Sequence, residues 1–385
     1  MVPPAPHVLF AFLGDVTGSS RALRQIRALV GAGWRVTVVG AMSAGEAVRD
    51  AGALPDGVRH WIAPVRAGGG PALFARAHRA VARAVDEVAR DGGPPDVLHA
   101  SDLYVLPALA RAARRLGARL VYDSREWYAG LDSTHARPWT ARVWAAVESR
   151  FAPRADAVLT VNDAIADRLL EERRLAERPV VLPNVSDLVP RAPTGTLRAR
   201  IGGTDAPIVL YQGLFRPGRG LDALVDAVAD VGGAVLVLVG EGSEADALRA
   251  QVARVLPGRG HVLPFTPPDT LAAWTPDAAV GAMLAEPLTE SLRLALPNKL
   301  FEYAAAGVPV LAGRGIEPMR EAVEAAGAGI AVEPRDRLAV AAALRTMLFD
   351  ADARRAMVAG LGRLRKRFDA TVVSERFLAT YDRLR

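Results

Sequence analysis

The chain has 385 residues, more than one hydrophobic core usually organises, so two domains with a small-molecule cleft between the halves are expected. Hydrophobic residues make up 51% and charged residues 23%, and no stretch of about 18 apolar residues runs without a charge or breaker, which argues for a globular chain without a spanning helix. The formal charge of +6 rests almost wholly on arginine, and the absence of cysteine excludes a disulfide scaffold, a zinc-thiolate site and a thiol nucleophile.

Met1 to His7 shows no basic region followed by an apolar core, so no secretory signal is read and the cytoplasm is the expected compartment. Val8 to Leu13 is an apolar run ending in Gly14. Arg21 to Val30 then carries apolar residues at helical spacing before Gly31 and Gly33, and Arg35 to Val39 is the next strand. The short connections force these two strands to lie parallel, which opens a Rossmann-like half. Asp96 to Ala100 precedes a helix over Leu106 to Leu116; Leu120 to Tyr122 follows, then Ala157 to Val161, a helix over Ala164 to Glu172, and Val180 to Leu182. From Pro183 to Pro207 the Pro, Gly, Thr and Arg content reads as an interdomain connection.

The second half repeats the first, with a strand over Ile208 to Gln212, a helix over Leu221 to Val231 and a strand over Ala234 to Val239 ending at Gly240-Glu241-Gly242. Val262 to Phe265, Ala278 to Met283, Val308 to Leu311 and Gly329 to Val332 supply further short strands. The last helices include Ala353 to Arg367 and Val373 to Leu384. The expected organisation is α/β: a Rossmann-like domain over 1–190, a linker over 191–206, a second Rossmann-like domain over 207–367, and a C-terminal helix over 368–385 that packs back on the first domain.

Leu296-Pro297-Asn298-Lys299 through Gly307-Val308-Pro309-Val310 reads as a punctuated helix followed by a strand, because Pro suits a helix start and Gly the positive φ at its end. Amides near Asn298 and Lys299 at the positive helix end suit a diphosphate, and Glu302, one turn in, suits ribose hydroxyls; a helix merely packed on a sheet, with both charges solvated, reads equally well. Gly213-Leu214-Phe215-Arg216-Pro217-Gly218-Arg219-Gly220 is a glycine-rich turn carrying two guanidinium groups, a candidate diphosphate clamp. Its Gly218-x-Gly220-x-x-Ala223, with Glu241 about 20 residues on, also partly matches a dinucleotide fingerprint, although Gly213 to Pro217 intervene after the strand. Asp350-Ala351-Asp352 reads as a helix cap and not as a metal site.

In the first half, Asp123-Ser124-Arg125-Glu126-Trp127-Tyr128 follows a strand, where open α/β sheets bind ligands. Arg125 and Glu126 are candidates to orient or polarise reacting groups and Trp127 to stack on a sugar, against a structural role for all of them. His99 and Asp102 are similar candidates, with a packed strand-end histidine as the rival. Gly14 and Asp15 follow the first strand at the same kind of strand-end position. Arg76, Arg79, Arg83 and Arg90, with Arg111, Arg114, Arg115 and Arg119, form basic helix faces, either solvated or set against an anionic membrane or lipid-diphosphate acceptor at the inner membrane face. No nucleic-acid motif is present.

On these residues the sequence resembles glycosyltransferase family 4, retaining enzymes of the GT-B architecture, in which two Rossmann-like domains face each other across a cleft. The likeness extends over essentially the whole chain and implies that the domain over 1–190 binds the acceptor, with Gly14, Asp15, His99 and Trp127 on that side, and that the domain over 207–367 binds the nucleotide sugar. Lys299-Leu300-Phe301-Glu302-Tyr303 with Ala306 to Val310 resembles the donor-binding helix, Gly213 through Gly220 the phosphate loop, Tyr122 to Glu126 a first-domain motif, and Val181-Leu182-Pro183-Asn184-Val185 the stretch entering the linker. The resemblance implies a metal-independent hexosyltransferase of carbohydrate biosynthesis that needs no cofactor beyond its co-substrate, a UDP-sugar first, then a GDP- or dTDP-sugar. It implies that Arg219 neutralises the leaving diphosphate, that Glu302 holds the ribose, that the base sits near Phe265 and Thr266, and that Gly213, Arg216, Gly240, Asn298 and Lys299 complete the donor site. Transfer proceeds with retention to a hydroxyl of a cell-surface glycan, lipid-linked or specialised-metabolite acceptor. Leu294, Leu214 and Arg125 depart from the family's usual glutamate, arginine and histidine. Two further readings stand beside it: a catalytically impaired nucleotide-sugar-binding subunit and an NAD(P)-binding enzyme.

Overall fold

In the computed structural model, residues 5–43, 48, 50–66, 70–131, 137–185 and 191–385 are described. Met1 to Pro4, on which part of the leader reading rests, and the proposed domain end at position 190 lie outside the described residues. The chain divides into two compact units, Met1–Asn184 with Thr371–Arg385, and Val185–Ala370.

The first unit contains β1 (His7–Leu13), α1 (Ser20–Gly31), β2 (Arg35–Ser43), β3 (Arg59–Val65), α2 (Gly70–Gly92), β4 (Val97–Ala100), α3 (Leu106–Leu116), β5 (Arg119–Ser124), α4 (Pro138–Phe151), β6 (Ala157–Thr160), α5 (Asp163–Glu172) and β7 (Val180–Val181). Its seven strands are all parallel, in the order β3-β2-β1-β4-β5-β6-β7. β1 is apolar on both faces and its first six residues are buried, as a central parallel strand covered by helices requires. β3, absent from the sequence reading, is the edge strand; Pro64 and the partly exposed Trp61 and Ile62 blur its pattern, and a proline is tolerated there because an edge strand need not donate on both sides.

The second unit contains α6 (Thr196–Arg200), β8 (Ile208–Gln212), α7 (Leu221–Val231), β9 (Val235–Val239), α8 (Ala245–Val255), β10 (Gly260–Leu263), α9 (Pro268–Trp274), β11 (Val280–Met283), α10 (Glu290–Arg293), α11 (Asn298–Ala305), β12 (Val310–Gly313), α12 (Glu317–Ala326), β13 (Gly329–Val332), α13 (Arg337–Phe349) and α14 (Ala351–Arg367). Its six strands are also all parallel, in the order β10-β9-β8-β11-β12-β13. Both sheets reverse winding direction beside their first strand, β1 against β4 and β8 against β11, which marks the carboxyl ends of those strands as ligand sites. Asp350 caps α14 by accepting from the N–H groups of Asp352 and Ala353. No helix of the described residues is long and apolar enough to cross a membrane.

The stretch read as a linker differs from what composition suggests. The segment over 191–206 is anchored in the second unit: the buried Asp277 carboxylate accepts from the N–H groups of Thr194, Gly195 and Leu197, at 2.8 to 2.9 Å. The last helix, α15 (Ala370–Asp382), supplies Phe377 and Tyr381 to the buried cluster of the first unit that holds Val8, Phe10, Ile26 and Trp34.

Candidate functional site

In the second unit, β8 ends at Gly213, whose φ of +136° a side chain rarely adopts; a Cβ there would lie 2.2 Å from Lys299 Nζ. The neighbouring β9 ends at Gly240, where a Cβ would lie 1.8 Å from the Gly213 carbonyl oxygen. The two strand-end loops are thus pressed together. They are stitched by the Phe215 N–H donating to Glu241 O at 2.8 Å and the Glu244 N–H donating to Phe215 O at 3.1 Å. Phe215 is fully buried and anchors the turn, while Arg216 is exposed and Arg219 half-buried. Neither arginine has a hydrogen bond or ion pair among the described residues.

The glycines of the dinucleotide-like pattern have another explanation. A Cβ at Gly218 would meet Leu288 at 2.2 Å, and one at Gly220 would meet the Leu284 carbonyl oxygen at 2.4 Å. The loop after β11 occupies the space on the Cβ side of both glycines, so packing within the chain already accounts for their small size.

Across from the turn stands α11. Leu300, Phe301, Tyr303 and Ala304 form its buried face; Tyr303 donates to Leu210 O at 3.1 Å, and Phe301 packs edge-on against Phe368. Helical spacing then leaves Asn298, Lys299 and Glu302 on the opposite side. Pro297 provides no side-chain cap, so the positive end of the helix dipole lies next to the Lys299 ammonium and the glycine turn. Lys299 Nζ sits 4.6 Å from the centroid of the Tyr211 ring and 3.5 Å from its hydroxyl. Burial and then the Arg219 charge pull its pKa down to about 8, against the opposing pull of Glu302. Burial pushes Tyr211 up to about 12, with Arg219 opposing. Arg219, Lys299 and the α11 terminus form a concentrated positive region, with the Glu302 carboxylate at its margin.

Glu302 is exposed, yet its Oε2 accepts from Gln212 Nε2 at 2.5 Å. The sequence reading passed over Gln212; the signal was a polar residue closing the otherwise buried, mostly aliphatic strand of Ile208 to Tyr211. Of the pair expected near the base, Phe265 is 62% exposed just beyond β10, whereas Thr266 is buried and its hydroxyl donates to Pro264 O. Of the two side chains, Phe265 is the one that presents an open face, while that of Thr266 is turned inward. Gly240 N–H donates to Leu263 O, so Phe265, Gly240 and Gly213 follow one another along a single sheet edge.

In the first unit, Gly14 turns β1 out of the sheet with φ +98°, and the Asp15 carboxylate accepts from the Thr17 N–H and hydroxyl. At the end of β4, Asp102 adopts φ +150°, unusual for a residue with a Cβ, and accepts from the Tyr104 and Val105 N–H groups. Burial pushes its carboxyl up to about 7, although Arg125 stands 3.5 Å away. Arg125 also lies over the Phe12 ring at 4.9 Å and stays partly exposed, and Glu126 is exposed beside it. These residues share the carboxyl edge of the first sheet.

Two expected acceptor contacts are corrected here. His99 has no exposed surface: it stacks on Phe10 at 4.1 Å, its Nδ1 lies 2.7 Å from the Tyr381 hydroxyl, and burial pulls its pKa down to about 4. Trp127 is 3% exposed, with the guanidinium groups of Arg173 and Arg168 over its ring at 4.4 and 4.8 Å. Both rings are core residues that no acceptor reaches. Asp123, which opens the motif, is likewise internal: Arg21 grips it through two nitrogens and Gln25 donates to it as well. Its burial alone would raise the carboxyl pKa, but Arg21 overrides that and holds it near 2.

The basic helix faces contribute Arg111 and Arg114, with Arg119 and Arg154, to the lining of a cavity of about 520 Å³ in the first unit. Arg115 is paired with Asp86. No group of three or more His, Asp or Glu among the described residues is arranged to hold a metal.

Residues 17–185 match the family model of a glycosyl transferase 4-like domain, and residues 206–350 match that of glycosyl transferases group 1. Glycogen synthase of Mycobacterium tuberculosis is 30% identical over 299 residues, covering 74% of this chain and 69% of that protein. Among solved structures, sucrose-phosphate synthase from Thermosynechococcus elongatus superposes with a TM-score of 0.75 at 19% identity, over 98% of this chain and 99% of that one. Anabaena Alr3699/HepE in complex with UDP-glucose gives a TM-score of 0.72 at 20% identity with the same coverage.

Proposed function

This chain belongs to the GT-B glycosyltransferases, and from that premise we propose that it moves a hexose from a UDP-sugar to an acceptor hydroxyl, with retention and without a metal. The observation that carries the reading is the positive region where Arg219, Lys299 and the uncapped start of α11 meet the glycine turn at Gly213, with Glu302 at its margin. A sugar leaving its diphosphate passes through an oxocarbenium-like state in which negative charge grows on the departing phosphate. Fixed positive groups already in place stabilise that charge without reorganising. Arg219 and Lys299 supply the charges, Glu302 receives the ribose hydroxyls, and Phe265 offers its exposed ring to the base. Arg125 and Glu126, at the carboxyl edge of the first sheet, are assigned to orienting or polarising the reacting groups.

A thermal-shift screen against nucleoside diphosphates and their sugars, in excess EDTA, tests the donor side, because a ligand that binds only the folded state raises its stability. Stabilisation by one nucleoside diphosphate is expected, with UDP first; no response to any of them, or a response to nicotinamide dinucleotides alone, would sink the proposal. The second reading, a binding subunit with impaired catalysis, is favoured by Leu294, which is buried and apolar where the family usually places a glutamate. Donor hydrolysis and transfer assays that stay blank despite firm UDP binding would select it.

A further inference from the structure

Gln212 closes β8 and is 2% exposed. Its carboxamide lies between two groups from distant parts of the chain. Nε2 donates to Glu302 Oε2 at 2.5 Å, and Oε1 lies 3.0 Å from the Thr275 hydroxyl, which also faces the Leu271 carbonyl at 2.6 Å. A carboxylate oxygen offers only lone pairs, so the amide NH₂ must face Glu302 and the amide oxygen must face Thr275. Thr275, itself 2% exposed, is the residue that follows α9. The buried pair therefore fixes a side chain on the open face of α11 that would otherwise sample its rotamers in solvent.

We propose that Gln212, backed by Thr275, is a positioning residue for the donor site, holding one oxygen of Glu302 so that the carboxylate meets the donor's ribose already oriented. The proposal rests on the assignment of Glu302 to the donor. A long exposed side chain ordered only on binding subtracts from affinity, and one held beforehand does not. That difference corresponds to about a tenfold change in Kd per ordered side chain.

The charged and titratable groups around this carboxamide come from each packed element. Lys299 lies one turn before Glu302 on α11, and Arg219 reaches in from the turn after β8. Tyr211 on β8 and Tyr303 on α11 are pushed up, chiefly by burial, to about 12 and beyond the usual phenol range, so both stay neutral near physiological pH. Asp277, two residues past Thr275, spends its carboxylate on three backbone N–H groups. The diagnostic substitution is Gln212→Glu, which keeps the shape but sets a second carboxylate against Glu302. Two such groups at hydrogen-bond distance repel when both are charged and bond again when they share a proton.

The experiment measures Kd for UDP by calorimetry from pH 5 to 8, with GDP and dTDP in parallel, for the wild type, Gln212→Glu, Gln212→Ala, Thr275→Val and Glu302→Ala. Each variant is compared with the wild type at the same pH, and Gln212→Ala, which changes no charge beside Lys299, supplies the reference against which the Gln212→Glu profile is read. Gln212→Ala is expected to weaken binding about tenfold at every pH. Gln212→Glu should weaken it by more than about tenfold at pH 8 and return towards the wild type as pH falls to about 5. Thr275→Val should give a smaller loss in the same direction. If Glu302→Ala leaves Kd unchanged, or no nucleoside diphosphate binds the wild type, the donor reading itself fails. If Glu302→Ala weakens binding while Gln212→Ala does not and the Gln212→Glu ratio is flat with pH, the positioning role is overturned. Should Gln212→Glu fail to fold, the Gln212→Ala and Thr275→Val pair decides on the same criterion.

Discussion

Raising the pH from 7 to 9 is a graded perturbation of the candidate diphosphate site, because Lys299 titrates near the middle of that range. A lysine pulled down to about 8 is charged below that pH and neutral above it. At pH 7 about ten-elevenths of the side chains carry a proton, and at pH 9 about one-eleventh. If the bound diphosphate keeps the ammonium charged, the apparent association constant of UDP falls about tenfold between these values, or about 1.4 kcal/mol. Tyr211, pushed up to about 12, stays neutral across the window and adds no slope. Calorimetry in buffers of different ionisation enthalpy should also register proton uptake on binding at pH 8. Lys299→Arg, charged throughout, should abolish the slope while keeping affinity within several-fold, and Lys299→Met should abolish both slope and affinity. A flat wild-type profile, or a slope that persists in Lys299→Met, would refute the placement of Lys299 against the diphosphate.

Two further outcomes follow from the geometry. Arg21→Leu strands the fully buried Asp123 carboxylate and should destabilise the first unit by about 3–5 kcal/mol in urea titrations at pH 7; a loss within about 1 kcal/mol would contradict the account. In the wild type the same pair lowers the Asp123 pKa from 3.8 to about 2, so its contribution is complete above pH 4 and is lost as pH falls from there through 2. Gly240→Ala places a Cβ against the Gly213 carbonyl and should cost about 1–3 kcal/mol while displacing the turn that carries Arg219. Its circular dichroism should match the wild type while UDP binding drops at least about tenfold; undiminished binding would show that the two loops need not touch.

The parallel α/β character and the repeat of one pattern in both halves were legible along the chain, because each strand, glycine turn and helix start is written by neighbouring residues. α11 is the clearest case: Pro297 opens it, Gly307 ends it, and its apolar spacing assigns Lys299 and Glu302 to the open side without reference to the rest of the chain. Local pattern also gave the helix cap at Asp350.

What the local pattern lacked was burial, which depends on elements far away in sequence. His99 lies near the end of a strand, where a catalytic histidine could stand, but α15 brings Tyr381 onto its ring from 282 positions away and closes it off. Trp127 looked like a sugar platform until Arg168 and Arg173 covered its faces. Gln212 and Glu302, 90 positions apart, meet only because β8 and α11 pack side by side. Spacing of a few residues determines which way a side chain points on its own helix or strand. Whether that direction leads to solvent, to a partner or into the core is decided when the sheet assembles and distant chain segments compete for the same space.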